Sequence, residues 1–74
     1  IKFELEAPER VELVIYDTSG RRIRTLVSET LPAGSHQASW NGVNDAGDAV
    51  APGVYFYRLH AGERIQAKKL VLTR

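Results

Sequence analysis

The sequence predicts an all-β fold, a small sandwich of two packed sheets, and three observations support this prediction. Apolar and polar residues alternate over short stretches, for example residues 1–5 and 11–17, which is the period of a strand with one buried face. Glycine, proline, asparagine and aspartate cluster between these stretches, where chain reversals need them. No segment of ten residues carries a sustained apolar stripe at helical spacing, so helix is at most a minor component.

The first two strands are expected at residues 1–5 and 11–17. Pro8 separates them, because proline lacks the amide hydrogen that a sheet ladder needs. The turn that follows begins at Asp17, whose carboxylate can accept hydrogen bonds from backbone amides ahead of it. It ends at Gly20, which tolerates a positive φ.

A third strand is expected at residues 21–27, followed by a crossover loop over residues 28–35. The fourth strand is expected at residues 36–40, and a short piece at residues 49–51 is a candidate for pairing at an edge. The remaining two strands are expected at residues 54–60 and 64–73, joined by a tight hairpin turn.

About seven strand-like pieces at spacings of roughly 8 to 12 residues favour a sandwich of the immunoglobulin type. A five-stranded barrel is the structural alternative. Four residues are expected to contribute to the core: Leu13, Ile15, Trp40 and Phe56. Trp40 would anchor this core, with its indole N–H hydrogen-bonded to a partner.

Length and composition predict one domain, residues 1–74, without cysteine and therefore without disulfides or thiolate metal sites.

Ten Lys and Arg against nine Asp and Glu give a formal net charge of +1. A net charge this close to zero does not attract nucleic acid or a membrane surface by overall electrostatics. No apolar stretch approaches the roughly 20 residues of a membrane helix, and no signal peptide is recognisable. The chain contains no methionine, so we expect it to be a module of a longer protein.

The chain offers no catalytic constellation. His36 and His60 are the only imidazoles, and each lies in an expected strand. A serine hydrolase brings a serine, a histidine and an orienting carboxylate together, and none of the serines has a nucleophile-elbow context. The sequence therefore predicts no enzyme, no catalytic residues and no cofactor.

Oxygen donors concentrate in the loop at residues 41–48. They are Asn41, Asn44, Asp45 and Asp48. Calcium takes ligands of this kind, but their spacing is not that of an EF-hand. Asn and Asp also stabilise turns by accepting bonds from nearby backbone amides. We take turn formation as the default and leave calcium as the alternative.

A basic patch would form if the third and last strands were neighbours in the sheet. Its members would be Arg21, Arg22, Arg24, Lys68, Lys69 and Arg74. Binding to nucleic acid needs such a patch interleaved with exposed aromatic side chains, and glutamates elsewhere dilute the positive field. We therefore expect no nucleic-acid partner.

A group of aromatic residues suggests a platform for binding sugars. They are Trp40, Tyr55, Phe56 and Tyr57. Alternation along a strand places Tyr55 and Tyr57 on one face and Phe56 on the other, so they cannot share one surface. Carbohydrate binding by an accessory module is therefore the weakest of the functional hypotheses.

Several motifs, taken as a set, resemble a known family. They are VELVIYD at 11–17, SGR at 19–21, IRTL at 23–26, AGSH at 33–36, WNG at 40–42, DAG at 45–47, APGVYFYRL at 51–59 and KKLVL at 68–72. The set resembles the immunoglobulin-like domain of flagellar hook-capping proteins, and equally the C-terminal sorting domains of proteins exported by bacterial type IX secretion. Asn41 departs from the family pattern, which often has Asp there.

The resemblance implies a non-catalytic C-terminal module that sorts a larger secreted bacterial protein and attaches it to the cell envelope. The alternative that it implies is a structural domain of a hook-capping protein. In sorting domains the basic and apolar last strand is thought to be recognised by the secretion machinery. The corresponding residues here are Lys68, Lys69, Leu70, Val71 and Leu72. The same pattern also fits a plain terminal strand with buried leucines and solvated lysines.

Expected partners follow from the same resemblance. They are the secretion or cell-envelope machinery and the upstream domains of the parent protein, with a location outside the cell or on its surface. The last strand is also open to self-association between copies if it lies at a sheet edge.

Overall fold

The computed structural model describes residues 1–73, which form six strands and no helix. The strands are β1 (Lys2–Leu5), β2 (Glu9–Tyr16), β3 (Arg22–Leu31), β4 (Gly34–Gln37), β5 (Gly53–Ala61) and β6 (Arg64–Leu72). They form two antiparallel sheets, one of β1 and β4 and one in the order β3-β2-β5-β6. The predicted all-β, immunoglobulin-like sandwich is therefore confirmed, and the barrel alternative is wrong. No helix suited to crossing a membrane occurs in the described residues.

The core lies between β1 and the four-stranded sheet, with β2 at its centre. Val11, Leu13 and Ile15 on β2 are completely buried. The main core cluster consists of Phe3, Leu5, Val11, Leu13, Leu59 and Ala61. Burial of apolar surface contributes about 25 cal/mol per Å², and it is the main stabilising term for a chain without cysteine.

The register between β2 and β5 decides which aromatic side chains face the core. Ile15 pairs with Tyr57, so the odd-numbered residues of β5 point inward with the buried face of β2. Phe56 pairs with Tyr16 on the opposite face and is 39% exposed. The prediction that Phe56 belongs to the core is therefore wrong. The buried aromatic residue beside it is Tyr55.

β3 is longer than predicted, because it pairs with β2 through most of the expected crossover loop and ends at Leu31. The register shifts between Leu13 and Val14 and again between Ile15 and Tyr16. At each shift β3 contains one residue more than β2, which is the signature of a β-bulge. Because each bulge interrupts strict alternation, the faces of β3 cannot be assigned by counting residues.

The segment after β4 also departs from the prediction. β4 ends at Gln37, so Trp40 lies outside the strands. Trp40 is half-buried and donates its indole N–H to the carbonyl oxygen of Val43 over 2.8 Å. It is therefore not an anchor of the main core, although its N–H has the partner expected of it. The expected strand at residues 49–51 is replaced by a single bridge between Val43 and Ala49, so the strands number six instead of about seven.

Candidate functional site

One edge of the four-stranded sheet is open. β6 stands last in the strand order, and β5 is its only pairing partner among residues 1–73. The two strands are joined by a two-residue turn in which Gly62 has a φ of 59° and Glu63 a negative φ, as a type II′ turn requires. Backbone N–H and C=O groups on the outer side of β6 are therefore available to another strand.

The two lysines of β6 point to opposite faces of the sheet. Lys68 pairs with Tyr57 on the inner face, and Lys69 pairs with Phe56 on the outer face. Both lysines are exposed. Lys68 is therefore exposed even though it lies on the inner face of the sheet.

The residues that the resemblance assigned to recognition by secretion machinery all lie on β6, and they differ in exposure. Lys68 and Lys69 are exposed, Val71 is 57% exposed, and Leu70 and Leu72 are half-buried. The two leucines share the inner face, since Leu70 pairs with Tyr55. The strand thus has half-buried leucines near its C-terminal end and a solvent-facing middle.

Apolar side chains line the outer face of β5 and β6. They are Val54 (41% exposed), Phe56 (39%), Ile65 (58%) and Val71 (57%). Val54 and Val71 lie directly opposite each other across the two strands. Single exposed apolar residues are ordinary, but a group on one face of a sheet is typical of an interaction surface.

The charge on β6 has one sign. Arg64, Lys68 and Lys69 are its charged residues, and it contains no acidic residue. The ion pairs within residues 1–73 join Arg10 to Glu12 and Arg21 to Asp17, so none of them neutralises β6. The open edge therefore carries exposed cations.

The opposite edge of the sheet is covered at residues 23–25 of β3. Asp45 donates its backbone amide to the carbonyl oxygen of Ile23 over 3.0 Å. Its Oδ1 accepts a hydrogen bond from the amide of Thr25 over 2.9 Å. The guanidinium of Arg24 adds a bond to the carbonyl oxygen of Asn44 over 3.3 Å. One loop residue thus satisfies two backbone groups of β3 and blocks this stretch of the edge.

Two of the four oxygen-donor side chains of the 41–48 loop, Asn44 and Asp45, are engaged within the protein. Asn44 Oδ1 accepts hydrogen bonds from the amides of Ala46 and Asp48, each over 3.0 Å, and Asp45 Oδ1 binds the edge of β3. These contacts are those of a structural Asx turn. Among residues 1–73 no three His, Asp or Glu side chains converge as a metal site would require.

The two histidines occupy separate structural positions. The ring of His36 stacks on Phe3 with centroids 5.5 Å apart, and its Nε2–H donates to the carbonyl oxygen of Pro32 over 2.7 Å. His60 lies on β5, where it pairs with Ile65 on the outer face. The structure therefore does not bring the two histidines together.

The basic and aromatic groups that the sequence suggested do not assemble into single surfaces. β3 and β6 are the two outermost strands of the sheet, with β2 and β5 between them, so the arginines of β3 and the lysines of β6 remain apart. Arg74 lies outside the described residues. Trp40 packs against Tyr55, whereas Phe56 points to the opposite face of the sheet.

The fold defines the protein as an immunoglobulin-like β-sandwich domain, and the open edge of β6 is its candidate interaction surface. The family model of the FlgD Ig-like domain matches residues 1–64, and the chain belongs to this family. Of the two resemblances found in the sequence, the match favours the hook-capping type. The match ends at the first residue of β6. No curated protein matches the chain.

Proposed function

We propose that this domain is a non-catalytic structural module that binds other proteins during assembly outside the cytoplasm, in the manner of a hook-capping protein. Membership of the FlgD Ig-like domain family supports the class of function. The observation that carries the proposal is the open edge of β6, which is exposed, cationic and flanked by apolar side chains. Such an edge offers main-chain hydrogen bonds to a partner, which is a general mode of peptide recognition.

A chimera tests this proposal. Residues 1–74 would replace the immunoglobulin-like domain of a hook-capping protein in a motile bacterium, and completed hooks would be counted by electron microscopy. We expect hooks to form with the chimera and not when the domain is replaced by an unfolded variant, Leu13→Asp. Leu13 is completely buried, and an unpaired charge there is strongly destabilising. A chimera that accumulates in folded form but supports no hooks would contradict the proposal.

A second candidate function is sorting of a larger secreted protein through type IX secretion and its attachment to the cell envelope. One observation favours it: residues 65–72 of β6 lie beyond the family match, and they include the exposed Lys68 and Lys69. The test is a reporter carrying a signal peptide and fused to residues 1–74 in a type IX-competent host. Sorting predicts a reporter at the cell surface, and a reporter that stays in the periplasm would contradict it.

The matched variant for both experiments is Lys68→Glu with Lys69→Glu. Both side chains are exposed, so their charge is reversed while β6 keeps its pairing with β5. Deletion of residues 68–74 is less informative, because it also removes the half-buried Leu70 and Leu72 from the inner face.

A further inference from the structure

We propose that the open edge of β6 accepts an extended acidic segment of a partner protein as a fifth strand of the larger sheet. This inference rests on the proposal that the domain acts by binding other proteins, and it names the chemistry of the partner. The ladder that an added strand needs is less obstructed along β6 than along β3. β6 pairs with β5 alone, whereas Asp45 already occupies backbone groups of β3 at the other edge.

The positions of the two lysines specify what the partner segment contains. Lys68 and Lys69 are consecutive and lie on opposite faces. Residues directly across from them on an added strand are also consecutive, and opposite charges at such positions are stabilising. The segment therefore carries two adjacent acidic residues, one for each face of the sheet.

The outer face of β6 specifies the flanking residues. Ile65 and Val71 are more than half exposed on this face. Ala67 and Lys69 lie between them, where they pair with Arg58 and Phe56. A shallow groove of about 320 Å³, lined in part by Tyr16, Phe56 and Ala67, adjoins the strand. β-Branched or aromatic side chains at alternate positions of the segment would cover this apolar surface.

The same charges disfavour a second copy of β6 as the occupant. β6 contains Arg64, Lys68 and Lys69 and no acidic residue. In an antiparallel pair of such strands centred on the lysines, Lys68 and Lys69 of one copy would lie across from those of the other, and like charges across a sheet are destabilising. An acidic partner segment is therefore favoured over self-pairing of this edge.

The test uses a synthetic peptide, Val-Thr-Val-Thr-Glu-Glu-Val-Thr-Val-Thr, blocked at both ends and titrated into residues 1–74. Binding would be followed by fluorescence anisotropy of the labelled peptide and by amide NMR shifts of the protein. We expect the changes in amide chemical shift to concentrate on β6 and on the residues of β5 that pair with it. The Lys68→Glu, Lys69→Glu variant should weaken binding by at least about tenfold. Lys2→Glu with Arg22→Glu, which reverses two charges on other strands, should change it by less than about threefold.

Two methylated peptides separate strand addition from simple charge attraction. Successive backbone amides of a strand point alternately toward β6 and away from it. N-methylation of the amides that point toward β6 blocks the hydrogen bonds between the peptide and β6. N-methylation of the amides that point away leaves those hydrogen bonds intact. We expect one methylated peptide to lose binding and the other to retain it. Equal affinity of the two peptides, or shifts centred away from β6, would overturn the proposal. Sedimentation of the domain alone tests self-pairing, and a dimer abolished by the lysine variant would also overturn it.

Because these measurements use the isolated domain in solution, their failure is distinct from failure of the chimera to support hooks. If the domain supports hooks but does not bind the acidic peptide, the proposed function stands and strand addition by an acidic segment is contradicted.

Discussion

The indole ring of Trp40 stands edge-on against the phenol ring of Tyr55, with ring centroids 5.0 Å apart and planes inclined at 71°. Tyr55 is buried and donates its hydroxyl hydrogen to the carbonyl oxygen of Ala51. The pair joins the loop after β4 to the inner face of β5. Edge-to-face pairs of this kind contribute about 0.5–1.5 kcal/mol beyond the area that they bury.

Trp40→Ala is expected to lower the free energy of unfolding by about 2–3 kcal/mol, less than the 3–5 kcal/mol typical of a fully buried Trp. The reason is that Trp40 is only half-buried. Trp40→Phe keeps a ring against Tyr55 but loses the bond to Val43, which should cost about 1 kcal/mol. Urea denaturation measures both values. A loss below about 1 kcal/mol for the alanine variant would mean that the aromatic pair is not a structural contact.

Leu59 and Phe56 provide a matched pair of substitutions on one strand. Leu59 faces the core and is 5% exposed, whereas Phe56 faces outward. Leu59→Ala should destabilise the domain by about 2–5 kcal/mol, and Phe56→Thr by less than about 1 kcal/mol, since threonine is suited to an exposed strand position. Thermal and urea denaturation measure the loss of stability in each variant. Equal losses for the two variants would show that the assigned faces of β5 are wrong.

Asp45→Ala is expected to open the covered edge of β3. The variant loses the carboxylate that accepts the Thr25 amide, so stability should fall by about 1 kcal/mol. Hydrogen exchange at the Thr25 amide should also become faster. Asp48→Ala, in the same loop, is the control, and we expect a change of less than about 0.5 kcal/mol from it. Unchanged exchange at Thr25 in the Asp45 variant would contradict the assigned contact.

Stability at acid pH should depend on Asp17. The hydroxyl of Ser19 and the backbone amide of Arg21 donate hydrogen bonds to its carboxylate. These bonds, that of Ser19 most strongly, hold the pKa of Asp17 below its ordinary value. Because the folded-state pKa is the lower one, this contribution is present above about pH 4 and is lost as the pH falls through the folded-state pKa.

The variant Asp17→Asn removes the titrating group. Its melting temperature should therefore fall less steeply than that of the wild type as the pH is lowered below about 4. Differential scanning calorimetry over this pH range measures the slopes, with Asp48→Asn as a control for the loss of one negative charge. Parallel slopes for wild type and Asp17→Asn would contradict the expectation.

Calcium should leave the melting temperature unchanged. Asn44 Oδ1 and Asp45 Oδ1 already accept backbone hydrogen bonds, and a cation would have to displace them. A ligand that binds only the folded state raises the melting temperature in proportion to its affinity. A marked rise with calcium that a chelator reverses would therefore restore the 41–48 loop as a metal site.

The sequence predicted the sheet faces correctly where alternation is strict. Leu13 and Ile15 were assigned to the core from the period of β2, and both are completely buried. Alternation also separated Phe56 from Tyr55 and Tyr57, but it could not say which side of β5 faces inward. That choice depends on the register with β2, which is a long-range property.

The features that escaped prediction are set by tertiary contacts. Leu31 lies in a strand because β3 continues to pair with β2 beyond two bulges, and nothing local to residues 28–31 distinguishes them from a polar loop. Asp45 was recognised as a turn residue or calcium ligand. Its bond to Thr25, 20 residues away, appears only in the folded chain.

The contacts of Asp45 at the edge of β3 also have a consequence for aggregation. A sheet with two free edges can add strands on both sides and so propagate into a fibre. Here Asp45 occupies backbone groups of Ile23 and Thr25 at one edge, whereas β6 pairs only with β5 among residues 1–73. Growth of the four-stranded sheet from the β3 side is therefore hindered over this stretch, and strand addition is biased toward β6. A single loop residue thus helps to keep the domain from stacking edge to edge on both sides.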